Sequence, residues 1–181
     1  MSRAFRQQID DGILDEAAAL FARQGFAKTS VQDIATSVGL SKAGLLHHFP
    51  TKDAIHDAVV ALADTLGEQF TAQVGDLPVG PTRDRRALEA VLDIAAGHPG
   101  LVSFLLVPTI RPGPMTTERP AAVVLGAFGV DLETAEPERL VRVIGALSAL
   151  AVLTIAAHQA GQASAWRPHI LQTCFDALGG H

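Results

Sequence analysis

A single cysteine, Cys174, stands among the 181 residues, so no internal disulfide can form and a reducing cytoplasm is the natural compartment. The N-terminus, MSRAFRQQIDDG, carries charge but lacks the apolar stretch that heads a secretory signal. Long apolar runs are scarce too. The longest, Val143 to Ala157, has 15 residues and includes Ser148 and Thr154. That is short of the roughly 20 needed to span a bilayer, so no membrane helix is expected.

Catalytic signatures are missing: there is no G-x-S-x-G, no Gly-rich phosphate loop and no carboxylate pair at a motif spacing. Seven histidines invite a metal reading. However, His47 and His48 are adjacent and point apart on a helix, while His56, His98, His158, His169 and His181 show no ligand spacing. Neither a metal nor a cofactor is expected. Cys174, on an apolar stripe, reads as a small buried hydrophobe. With no strand-like alternation, repeat or low-complexity tract, and 48% hydrophobic content to fill a core, the expected fold is all-α.

Positive charge is in the minority, 14 Lys and Arg against 19 acids, which argues against a nucleic-acid partner until it is divided by segment. Residues 1–53 hold six basic side chains and six acids, and the acidic excess lies beyond them. Within that neutral segment, TSVQDIATSVGLSKAGLLHHFPTKD (29–53) reads as two short helices joined by a tight turn. Ser30 caps the first, with Asp33 three residues on as in a capping box, and Val31, Ile34, Ala35 and Val38 form its apolar side. Gly39 ends it. Ser41 caps the second, about Lys42 to His48, whose Leu45 turns inward with Leu40 and Phe49. Lys42, Ala43, Gly44 and His47 are left outward, a small, donor-bearing face suited to the major groove. The plainer alternative is a packing unit that binds no DNA.

These residues resemble the helix-turn-helix of the tetracycline-repressor (TetR) family of bacterial transcription regulators. GLSKAGLLHHFPTKDA is similar to the family's reading helix, and FARQGFAKTSVQDIA (21–35) is similar to the approach to it. The likeness covers about the first 65 residues. Leu46 stands where the family usually carries a Tyr that reaches a phosphate, and His48 where another aromatic is common. The resemblance implies an all-α homodimer with an N-terminal three-helix DNA-binding domain (1–50), a linking helix (51–75) and a C-terminal ligand-binding and dimerisation domain (76–181). It implies an inverted-repeat operator in double-stranded DNA, a small-molecule effector, no enzyme activity and a cytoplasmic location. The expected DNA-facing residues are Ser30, Ser41, Lys42, Ala43, Gly44, Leu46, His47 and Lys52, the last two-fold suited by its cation and the free N–H groups of a helix start. A helical enzyme or interaction protein with a docking helix-turn-helix is the competing class.

Elsewhere the periodicity predicts a first helix over 5–24, stopped by Gly25, and a fourth, capped by Thr51, with Ile55, Val59, Leu62, Leu66 and Phe70 on one stripe. After a linker, 77–81, a helix from Thr82 ends at GHPG (97–100). Leu101 to Val107 is short and apolar and ends at Pro108, the stretch 108–120 with its four prolines reads as a loop, and Pro120 begins a short helix to Gly129. A long apolar helix runs from Glu136 to about Ala160 and a last one from about Pro168 to Leu178; the pair is expected to pack on a symmetric copy. His98, Phe104, Leu105, Met115 and Phe128 are expected to line an apolar effector pocket, with ordinary core as the alternative.

Overall fold

In a computed structural model that describes residues 3–110 and 118–180, helix start and stop signals explain most of the element boundaries. The helices are α1 (Arg3–Gln24), α2 (Val31–Ser37), α3 (Lys42–His48), α4 (Lys52–Val74), α5 (Pro81–Gly97), α6 (Pro99–Ile110), α7 (Glu118–Ala127), α8 (Pro137–Gln159) and α9 (Ala163–Ala177). No strand occurs among the described residues. The helices form two compact units. One holds α1, α2, α3, α4 as far as Ala63, and α6 from Gly100; the other holds α4 from Asp64, α5, α7, α8 and α9.

The first unit is built on α1, which buries Ile13, Ala17, Ala18 and Phe21, while Ile34 and Ala35 of α2, Leu45 of α3, and Ile55 and Val59 of α4 complete its core. Two glycines stop helices with positive φ, Gly25 at 83° and Gly39 at 71°, a conformation that costs glycine nothing. At Gly39 the Leu40 N–H turns back to the Ala35 carbonyl (2.9 Å), which satisfies an open end of α2. α6 is tied to α1 by Asp15, whose carboxylate accepts the N–H groups of Gly100 (3.1 Å) and Leu101 (2.9 Å). A Cβ at residue 100 would overlap the Asp15 carbonyl oxygen, so the close approach requires glycine.

The second unit is an α5, α8, α9 bundle with α7 against α5. Its interior is made of small and branched side chains: Ala87, Leu88, Leu92, Val143, Ala146, Leu150, Ala157, Ile170, Cys174 and Phe128. One buried charge stands among them. Asp84, 5% exposed, is met by Arg139, whose Nη2 donates to both carboxylate oxygens (2.7 and 2.8 Å) and to the Phe128 carbonyl (2.9 Å).

Three prolines sit inside helices where sequence reading put helix ends. α6 continues past Pro108 to Ile110, α7 begins at Glu118 rather than Pro120, and α9 begins at Ala163, five residues before Pro168. Pro120 falls in a first turn, whose N–H groups have no helical partner to lose, whereas Pro108 gives up one helical bond two residues before α6 ends. Pro168 leaves the carbonyl of Ser164 unbonded within the helix, but both residues are exposed to water, and Ala163, Ala165 and the Trp166 N–H to Gln162 bond (3.0 Å) carry the first turn. α8 also corrects the run-length argument. The 15-residue apolar stretch lies within a helix of 23 residues, which is long and apolar enough by length and composition to cross a membrane. Residues 111–117, Met115 among them, lie outside the described residues.

Candidate nucleic-acid interface

Seven residues are too few to hold a helix in water, so α2 and α3 depend on their caps and neighbours. For α2 the capping box is complete. Ser30 Oγ accepts from Asp33 N–H (3.1 Å), and Asp33 Oδ2 accepts from both the Ser30 N–H and the Ser30 hydroxyl (2.8 Å each). The Ser30 backbone N–H, and then its hydroxyl, hold the Asp33 carboxyl below the usual carboxylate range. For α3, Ser41 Oγ accepts the Gly44 N–H (3.0 Å), and for α4, Thr51 Oγ1 accepts the Ala54 N–H (3.0 Å).

With Leu45 fully buried, the helical turn sends Lys42, Ala43 and His47 outward, and all three are exposed, as are Ser30 and Ser41 at the two caps. Gly44 and Leu46 are half-buried. Gly44 has a local reason as well as an outward one: a Cβ there would stand 3.2 Å from the Ser41 hydroxyl that caps the helix. His48 faces the other way, its Nδ1 2.7 Å from Asp10 Oδ1, and so ties the end of α3 to α1. Lys52 is half-buried. Its Nζ donates to the carbonyls of Phe26 (2.8 Å) and Thr29 (3.0 Å).

Sequence reading did not single out Asp10, Asp15, Phe26 or Thr29, all of which fix this domain. Asp10 and Asp15 looked like members of a solvated face, and their partners are 38 and 85 residues distant, with no local pattern to betray them.

The five residues expected to hold an effector are divided. Phe104 and Leu105 belong to the first unit, where the Phe104 ring lies 6.4 Å from Phe21 and 5.9 Å from His56. Phe128 is fully buried in the second unit. His98, also in the second unit, closes α5 through its N–H to the Ile94 carbonyl (2.8 Å), and its Nδ1 is buried with no hydrogen-bond partner among the described residues. A surface cleft of about 650 Å³ in the second unit contains none of the five; Gln73, Asp76, Leu77, Arg85, Arg86 and Phe175 are among its lining residues. Among the described residues no group of three metal-ligating side chains converges.

Residues 13–59 match the family model of bacterial regulatory proteins of the tetR family. The helix-turn-helix segment of this chain is thus similar to that of the TetR family. Over 50 residues, 28% of this chain and 27% of the relative, it is 42% identical to the biofilm operon icaADBC HTH-type negative transcriptional regulator IcaR of Staphylococcus aureus. Over 94 residues, 51% of this chain and 46% of the relative, it is 42% identical to the HTH-type transcriptional repressor KstR2 of Rhodococcus jostii (strain RHA1). The matches thus span less than half the length of these curated relatives. A solved TetR-like transcriptional regulator from Rhodococcus sp. RHA1 covers the whole of both chains at 22% identity with a TM-score of 0.53, a likeness of fold. The all-α architecture, with a TetR-like helix-turn-helix at the N-terminus and a helical C-terminal part, is like that of this regulator.

Proposed function

We propose that this chain is a homodimeric repressor of the TetR type, which reads an inverted-repeat operator with α3 and leaves it when a small, mostly apolar ligand binds. The observation that carries this reading is the outer face of α3: a helix pinned from behind by Leu45 and His48 presents Lys42, Ala43 and His47 to solvent. Lys42 and His47 supply donors for bases or phosphates, Ala43 and Gly44 allow close approach, and Ser30, Ser41 and Leu46 flank the groove wall. In functional terms residues 1–50 read, 51–75 link, and 76–181 sense and pair. The relatives named as a negative regulator and a repressor favour repression over activation.

Pairing is supported by α8, where Val141 (70% exposed), Ile144 and Val152 (59% exposed) recur along one side of a helix whose opposite side is core. Trp166 of α9 is also exposed. A second copy of the same surface would bury this stripe by two-fold symmetry, which gives a better account of it than a membrane, because Val143, Ala146, Leu150 and Ala157 of the same helix are already packed against protein. The protein is then cytoplasmic. His98, whose buried Nδ1 has no hydrogen-bond partner among the described residues, is the polar anchor proposed for an effector in the second unit.

The test is a mobility shift with duplexes tiling the DNA that flanks the chain's own gene, together with sedimentation at micromolar concentration. The expected result is retarded bands on a subset of duplexes that share an inverted repeat, and a dimeric mass. A monomer on and off DNA, or equal binding to every duplex, would overturn the reading.

A further inference from the structure

We infer that Lys52 is a positioning residue: it locks the turn that launches α2, and so sets how α2 and α3 meet DNA, instead of meeting a phosphate itself. The inference rests on the DNA-binding reading above. An ammonium has three N–H donors and no acceptor. In this structure Nζ reaches the Phe26 carbonyl at 2.8 Å and the Thr29 carbonyl at 3.0 Å, and lies 4.1 Å from the centre of the Phe26 ring, a cation–π distance. Its charge is therefore engaged on three sides by the same short segment, from Phe26 to Thr29.

That segment determines where α2 begins. The Phe26 carbonyl that takes Lys52 also takes the Thr29 N–H (3.2 Å), closing a four-residue turn. Thr29, 2% exposed, donates its hydroxyl to the Gly25 carbonyl (2.9 Å) and receives Gln24 Nε2 (3.3 Å), so the turn is also held to the end of α1. The next residue is Ser30, the α2 cap. Any slack in the turn would pass directly into the cap and, through α2, into α3.

The same geometry accounts for Phe26, a large apolar residue that is 36% exposed. Lys52 and His56 are four residues apart and share one face of α4. Lys52 covers the Phe26 ring, and the His56 ring meets its edge with centroids 5.2 Å apart, while Phe21 lies at 5.5 Å. The ring is held between α1 and α4 and needs no deeper burial. A lysine that reached a phosphate would have to leave two carbonyls and an aromatic face.

The experiment uses full-length protein and a duplex retained in the mobility shift, with affinity read by fluorescence anisotropy across a salt series and at a temperature where every variant is folded. Lys52→Ala is expected to weaken binding about tenfold, in line with loss of charge-assisted hydrogen bonds, with the slope of log affinity against log salt unchanged. Phe26→Ala, which removes no charge, should produce a loss of similar size. The double variant should be no weaker than Lys52→Ala alone, because the two side chains act as one device. Lys52→Arg should recover most of the affinity, since a guanidinium can bond both carbonyls and stack on the ring. Should Lys52→Ala not fold, Phe26→Leu carries the same comparison. A slope reduced by about 0.9, the signature of one lost phosphate contact, together with additive losses, would overturn the inference. So would full affinity in a folded Lys52→Ala, which would reduce the lysine to a stabilising contact. A wild-type chain that prefers no duplex would instead sink the DNA-binding reading and this inference with it.

Discussion

The helix-turn-helix unit, the proposed reader of DNA, and the α5, α8, α9 bundle are both helical, yet different forces hold them. In the reader, two seven-residue helices contribute little apolar surface, and directional polar bonds do the fastening: His48 to Asp10, Asp15 to the first N–H groups of α6, Lys52 to two carbonyls, and three side-chain caps. In the bundle, α8 alone runs 23 residues and buries Val143, Ala146, Leu150, Ala151 and Ala157, with the Asp84–Arg139 pair, the Thr154 hydroxyl and the His98 Nδ1 among its few polar interior features. Thr154 is satisfied within its own helix by the Leu150 carbonyl at 2.7 Å. Hydrogen bonds are directional and apolar attraction is not, so polar tethers suit the unit proposed to present a helix face in one orientation.

The largest effect that tests this contrast is in the bundle. Phe128 is among the largest fully buried side chains, and its carbonyl is an acceptor for Arg139. Phe128→Ala should cost about 3–5 kcal/mol in denaturant unfolding, the usual range for a large aromatic removed from a packed core. A cost below about 1 kcal/mol would mean that the ring fronts a space that is not filled, and would turn Phe128 from core into cavity wall. The comparison would then need the bundle to be only partly an apolar core.

How far each unit can be read from sequence follows the same division. Caps and stops are local chemistry, so Ser30 with Asp33, Ser41, Thr51, Gly25 and Gly39 announce α1 to α4 nearly to the residue, and the outward placement of Lys42, Ala43 and His47 follows from the burial of Leu45. The partners of the tethers are not local. Lys52 reads as a cation at a helix start, and no pattern in TKDAI reveals that carbonyls 23 and 26 residues earlier engage it. Proline misled for a different reason: it forbids one hydrogen bond, and whether that bond is needed depends on the turn in which it falls. At Pro120 the bond never existed, and at Pro168 exposed surroundings make it dispensable.

A smaller effect is expected in the reader. Ser30→Ala removes one half of the α2 capping box and should lower stability by about 0.5–2 kcal/mol, the range for lost caps. A pH series sharpens the assignment to the Ser30 and Asp33 pair. Because the folded state holds the Asp33 carboxyl below its ordinary range, its contribution is present above the unfolded value of 3.8 and is lost as pH falls through the depressed folded one. The gap between the melts of Ser30→Ala and wild type should therefore narrow as the solution is acidified below that range, without closing, because the bond from the Asp33 N–H to the Ser30 hydroxyl does not depend on the carboxylate. Parallel curves down to the most acid pH at which both fold would show that the serine contributes through helix geometry alone and that the carboxylate has no share.

The smallest effect concerns Cys174, and it is expected to be invisible at neutral pH. The thiol lies on the inner side of α9 with no exposed surface, and burial pushes it up from an ordinary 9.0 to about 11. Burial penalises the thiolate and leaves the neutral thiol untouched, so the folded state binds its proton more tightly than the unfolded chain does. The sign follows from linkage: any stability tied to this group is intact below pH 9 and erodes as pH climbs towards 11, where the folded state must ionise a group that water no longer reaches. Iodoacetamide at pH 7.5 or so should leave the folded chain unmodified, since the thiolate is the reactive form, while the unfolded chain in denaturant reacts at once. Cys174→Ser should abolish the labelling, and Cys174→Ala should leave the neutral-pH melting curve shifted only by the lost packing of one sulfur atom. Rapid labelling of the native chain would mean that α9 opens from α5 and α8 far more readily than an apolar core allows, and the bundle would then join the reader as a unit held by its polar ties.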